Sequence, residues 1–141
     1  MLPEQEVRSL RILHMALITG CALFLAVASQ FAARAPGMEG LATAFLAVGV
    51  VSMGLIVLSF LLFRRRMRMG IDPSLPEGSS ALRTALILHW ALIEAPCMLN
   101  TVLYLLTDSF AHAVLAASGL FVLVGRAPTE TRFLRWTMPT G

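Results

Sequence analysis

Only one carboxylate in this sequence stands inside an otherwise uncharged stretch: Glu94, within the 24 residues Thr84–Thr107. A charge at the centre of a bilayer costs at least ~2.5–3.5 kcal/mol on insertion scales. Such an acid is held neutral or paired, and the chemistry open to it is the binding of a proton or a cation. The competing reading is a protonated acid that only hydrogen-bonds a neighbouring helix. Pro96 follows two residues later and cannot donate to the Leu92 carbonyl, so a kink is expected there, with a freed oxygen near the acid. Thr101, seven residues beyond Glu94, falls on nearly the same helical face and is the first candidate co-ligand. His89 and Asn100 share a different face with Pro96, roughly 120–140° away. They are possible polar partners, together with Thr19, but a second helix must complete any site.

The histidines offer a second chemistry. Ile12-Leu13-His14-Met15-Ala16-Leu17-Ile18 recurs as Ile87-Leu88-His89-Trp90-Ala91-Leu92-Ile93, six identities in seven at an offset of 75. Thr19 then corresponds to Glu94, so acid chemistry belongs to the second copy alone. Two inward imidazoles, His14 and His89, could ligate a haem axially, or a metal with Cys21 or Cys97. Neither spacing is a recognised ligand motif, and no cofactor is required by the sequence. The cysteines read as reduced packing residues, since a mid-bilayer disulfide is unusual. No phosphate-binding loop, zincin box, catalytic triad or nucleotide fingerprint is present, so the chain is not expected to be an enzyme.

The elements that hold these residues follow from hydropathy. A bilayer core of about 30 Å needs roughly 20 apolar residues of helix. Four runs approach that length: 12–33, 40–63, 84–107 and 109–125. Backbone polar groups in lipid must pair internally, so all four are expected as helices. The fourth is short, and Arg126 is expected to snorkel outward at its end. Hydrophobic residues make up 57% of the 141 and charged residues 13%, about half the soluble norm of roughly 25%. The pI of 9.7 could suggest nucleic acid, but eleven Arg and no Lys sit mainly beside apolar runs, so no nucleic-acid partner is expected. Ile18-Thr19-Gly20-Cys21 has the form of a lipoprotein cleavage box, yet the apolar run continues past it as a span.

Arginine placement sets an orientation. Arg8 and Arg11 precede the first span, Arg64, Arg65, Arg66, Arg68 and Arg83 lie between the second and third, and Arg126, Arg132 and Arg135 follow the fourth. Arg34 alone lies on the other side. The positive-inside rule puts both termini and the central loop, 64–83, in the cytoplasm of a bacterial inner membrane. Arg34–Glu39 and Asp108–Ser109 read as tight turns. Asp72-Pro73 and Pro76-Glu77-Gly78 read as turns of the central loop, with Ser79 and Ser80 as caps of the third helix. The tail at 126–141, with Phe133 and Trp136 among Arg132 and Arg135, suits an interfacial helix. Arg64, Arg65, Arg66, Arg68, Arg132, Arg135 and Trp136 are thus the expected lipid contacts. Ala16/Gly20, Ala22/Ala26 and Ala113/Ala117 are small pairs that allow close helix approach.

Pro76-Glu77, Arg83-Thr84 and Ala91-Leu92-Ile93-Glu94-Ala95-Pro96 together resemble the second half of the c subunit, the proteolipid of rotary ATP synthases. That resemblance, over residues 76–105, implies an ion-binding role for Glu94. Over the whole chain, Leu92-Ile93-Glu94-Ala95-Pro96 and Arg126-Ala127-Pro128-Thr129 are similar to the Glu-Gly-Pro-like and Arg-Pro-Thr-like boxes of small uncharacterised four-span bacterial membrane proteins. This second resemblance implies an architecture and no activity.

The expectation is one all-α membrane domain, 1–141, with four transmembrane helices arranged as two parallel-repeat hairpins. Its partners are membrane lipids and a homo-oligomer or larger membrane complex. Its function is to hold a proton or cation at Glu94. The alternatives are a scaffold subunit in which Glu94 bonds helices together, and a haem protein using His14 and His89.

Overall fold

The computed structural model describes residues 4–32, 41–68 and 76–129. It contains α1 (Glu4–Phe31), α2 (Ala42–Ser52), α3 (Gly54–Arg68), α4 (Pro76–Thr107) and α5 (Phe110–Val124). The α2 and α3 segments form one rod, so the described residues make four helical units. Three of these, α1, the α2–α3 rod and α4, are long and apolar enough to cross a membrane by length and composition. The fourth, α5, has 15 residues, about 22 Å of helix against a core of about 30 Å. Large apolar side chains cover the outside: Phe31, Val51, Phe110 and Phe121 are all more than 70% exposed. Lipid, not water, suits that surface. This is a small helical membrane protein.

Each helix buries one stripe. On the α2–α3 rod it is Gly49, Ser52, Ile56, Ser59 and Phe63, alternating steps of three and four that run unbroken across the joint. On α5 it is His112, Ala116, Gly119 and Leu123. All of these converge on α4, whose Leu82, Leu86, Trp90, Ile93 and Cys97 are buried and form the spine of the core. α1 packs on α4 and α5, whereas α2 and α3 pack on α4 with α2 also reaching α5. The first two spans therefore meet each other only marginally. The tightly packed hairpin is α4–α5.

Contacts set the directions. His14 lies against Trp90, and Cys21 against Cys97, so α1 and α4 run parallel at an offset of 76. Asn100 meets His112 while His89 meets Arg126, so α5 runs antiparallel to α4. Among the described residues, Arg8, Arg11, Arg64, Arg65, Arg66, Arg68, Arg83 and Arg126 consequently gather at one end of the bundle. Arg65, Arg66 and Arg68 occupy the last turn of α3, where cations complement the helix dipole.

Three local expectations change. Pro76-Glu77-Gly78 is the first turn of α4 and not a loop turn. Proline at a helix start has its φ preset and needs no N–H partner, and Glu77 suits the positive end. Ser80 accordingly does not cap; its hydroxyl donates to the Glu77 carbonyl at 2.9 Å. Arg126 does not snorkel outward but folds into the bundle, as detailed below. The Asp108–Ser109 turn is present, with Asp108 at φ 51°. That left-handed conformation is tolerated by Asp far better than by most side chains. The Arg34–Glu39 turn, Asp72-Pro73, and the tail residues Arg132, Phe133, Arg135 and Trp136 lie outside the described residues.

Candidate functional site

Polar side chains inside the bundle form three layers along α4. The layer farthest from the arginines centres on Asn100, which is fully buried. Its origin is the joint between α2 and α3. There the Met53 amide donates to the Val50 carbonyl at 3.1 Å, three residues back, and so leaves the Gly49 carbonyl without its usual i+4 donor. Ser52 Oγ donates to that oxygen at 2.6 Å, and Asn100 Nδ2 approaches it at 3.3 Å. Nδ2 also faces Ser52 Oγ at 3.1 Å and the Pro96 carbonyl at 2.9 Å. With the amide nitrogen committed to acceptors, Oδ1 must accept, and it does so from His112 Nδ1 at 3.1 Å. Gly49 is required by this crowding: a Cβ there would lie 2.5 Å from Asn100 Oδ1 and 2.9 Å from the His112 ring.

The middle layer holds Glu94. It is half-buried on α4, on the side of the helix that carries α1, at the level of the Cys21–Cys97 contact. Those thiols are free and buried, and Cys97 Sγ donates to the Ala116 carbonyl at 3.2 Å. Gly119 makes room for this crossing, since a Cβ there would stand 3.2 Å from Cys97 Cβ. Among the described residues the Glu94 carboxyl makes no hydrogen bond or ion pair. Thr101 is not its partner: fully buried, it donates to the Cys97 carbonyl at 2.9 Å. Thr19 is exposed on α1, and α4 is continuous through the buried Pro96.

The layer at the arginine end joins the two repeat histidines to the end of α5. His14 Nε2 lies 3.0 Å from the Leu123 carbonyl and, as donor, caps the last turn of α5. Its ring stands 4.7 Å from that of Trp90. His89 stacks on Phe63 at 4.8 Å and meets Phe60 edge-on at 5.1 Å. Arg126 Nε donates to His89 Nε2 at 3.3 Å, and its guanidinium lies 4.2 Å over Phe60. Arg11 Nε donates to the Pro128 carbonyl at 3.3 Å, so Arg126-Ala127-Pro128-Thr129 is a docked strap. His14 faces α5 and Trp90, while His89 faces α3. The structure does not bring the two imidazoles together on a common ligand. Among the described residues there is no group of three or more His, Cys, Asp or Glu placed to hold a metal.

His112, Ser52 and Gly49 were not singled out from the sequence. The available signal was a histidine alone in an apolar run and a Gly-x-x-Ser at matching depth in another. No protein-family model, curated protein or solved structure matches this chain.

Proposed function

We propose that this protein is a non-catalytic inner-membrane subunit that holds a proton on Glu94 within an assembly of several chains. One observation carries the reading: the Glu94 carboxyl sits at mid-span with no hydrogen bond or ion pair among the described residues. An ionised acid so placed is costly, and protonation removes that cost. A metal cation is the poorer occupant, because hard cations require several oxygen ligands and no second carboxylate joins Glu94 among the described residues. The intrachain scaffold role is also the poorer reading, since Asn100 and His112 already bond α2, α4 and α5 together. An assembly is supported by the seam between α1 and α4: Ala16, Gly20, Ala91 and Ala95 are exposed around it, and a Cβ at Gly20 would meet nothing. Small residues of that kind let a second helix approach closely. The parallel, neighbouring placement of His14 and Trp90 supports a duplicated origin for α1 and α4. The arginines at one end support cytoplasmic termini.

The test is reaction with a hydrophobic carbodiimide, which adds only to a protonated acid. Labelling of Glu94 that fades as pH rises, together with proton uptake in vesicles that Glu94→Gln abolishes, is the expected outcome. An unlabelled Glu94 across the whole pH range contradicts the proposal.

A further inference from the structure

The seam between α3 and α4 opens at the arginine end into a groove of about 390 Å³. Along α3 its lining runs Arg66, Arg65, Leu62, Ser59; along α4 it runs Thr84, Leu88, His89, Leu92. Within about two turns the groove passes from paired cations to hydrocarbon. Arg65 and Arg66 are exposed and make no ion pair among the described residues. Guanidinium groups so placed match a phosphodiester in shape and charge. Charge at this depth, next to apolar walls, is the pattern of a headgroup pocket between spans.

The inner wall of the groove lies deeper. His89 is only 3% exposed and lines the same groove. Its Nε2 accepts the Arg126 Nε–H, so the ring is neutral and its proton is on Nδ1. Nδ1 faces the Ser59 carbonyl and is enclosed by protein, so the ring is a wall of the groove and offers its occupant no exposed donor. The occupant that fits this lining is anionic at one end and continues as hydrocarbon.

We propose that this groove binds one anionic glycerophospholipid. Its phosphodiester sits at Arg65 and Arg66, and one acyl chain lies along Leu62, Leu88 and Leu92 against the His89 ring. The groove takes the glycerophosphate region and the top of one chain, with the rest of the lipid on the outer surface. The site is separate from Glu94 and does not depend on the role proposed for it.

Native mass spectrometry of the full chain in mild detergent, with equimolar phosphatidylglycerol and phosphatidylethanolamine of the same chains, tests this. Wild type should retain one phosphatidylglycerol and little phosphatidylethanolamine. Arg65→Gln with Arg66→Gln should weaken retention about 30-fold, two juxtamembrane cations' worth. Arg64→Gln with Arg68→Gln removes the same charge outside the groove and should weaken retention several-fold less than the Arg65/Arg66 pair. Leu88→Trp keeps every arginine, fills the groove from a half-exposed position, and should also lose the lipid. Equal retention of the two lipids overturns the proposal. So does equal loss in the two arginine pairs, which is general attraction, or full retention in Leu88→Trp, which places the lipid elsewhere.

Discussion

Arg126 Nε donates to His89 Nε2 across 3.3 Å, turning a cation at the end of α5 inward against an aromatic wall. The guanidinium is half-buried and lies over Phe60, so its contribution combines a hydrogen bond and a cation–π contact. We expect Arg126→Ala to lower stability by about 1–2 kcal/mol in a detergent unfolding titration. Arg126→Lys should recover less than half of that, because an ammonium lacks the planar fork that reaches both partners. Equal stability of Lys and Arg at this position would mean that only charge matters.

The Gly49 crossing gives a sharper contrast. Gly49→Ala pushes a methyl into Asn100 and His112 and should cost about 1–3 kcal/mol. Gly20→Ala faces open space and should leave the isolated chain's thermal stability unchanged or slightly raised. If Gly20 lies at a contact between chains, the same variant weakens association while the fold survives. Gel filtration in detergent beside a melting curve separates the two effects.

Asp108 holds φ 51° in the two-residue turn between α4 and α5. Asp108→Gly should be neutral or mildly stabilising, and Asp108→Val should cost about 1–2 kcal/mol, because a β-branched side chain crowds the left-handed backbone. Comparing unfolding midpoints of the two variants checks this.

Much of this architecture was legible in the sequence, because lipid leaves backbone polar groups no option but internal pairing. The placement of the four apolar helices, three of them long enough to span, and the Asp108–Ser109 turn follow from apolar runs and turn residues alone. The α4 start is not legible in the sequence, since Pro76 and Gly78 serve a loop or a first helical turn equally well, and packing of Leu82 and Leu86 decides. Arg126 was misplaced because snorkelling is the default for an arginine at a span end, and nothing local announces Phe60 and His89, which come from other helices. The Asn100 layer was half visible. Asn100 stood out as an amide in an apolar span, but its partners depend on the Gly49 carbonyl released at Met53, a backbone event with no residue-type signature. Thr101 shared a helical face with Glu94 and still bonds its own helix, since a threonine hydroxyl reaches the carbonyl four residues back more easily than a distant acid.

Orientation can be checked directly. A reporter active only outside the cytoplasm should be silent when fused after Gly141 and active when inserted at Asp108. Because α5 spans only about 22 Å, crossing requires local thinning of the bilayer around it. An active reporter at Gly141 would show that α5 does not cross as the arginine distribution requires.

The protonation state of Glu94 is the point on which the functional reading turns. Infrared difference spectroscopy of wild type against Glu94→Gln, both in lipid bilayers at neutral pH, reads it without any transport assay. The other seven acids are present in both proteins and cancel in the difference. We expect a protonated-carboxyl C=O band in wild type that is missing from Glu94→Gln and shifts in deuterium oxide. A carboxylate band in its place, with no protonated carbonyl lost on substitution, would contradict a proton held at Glu94.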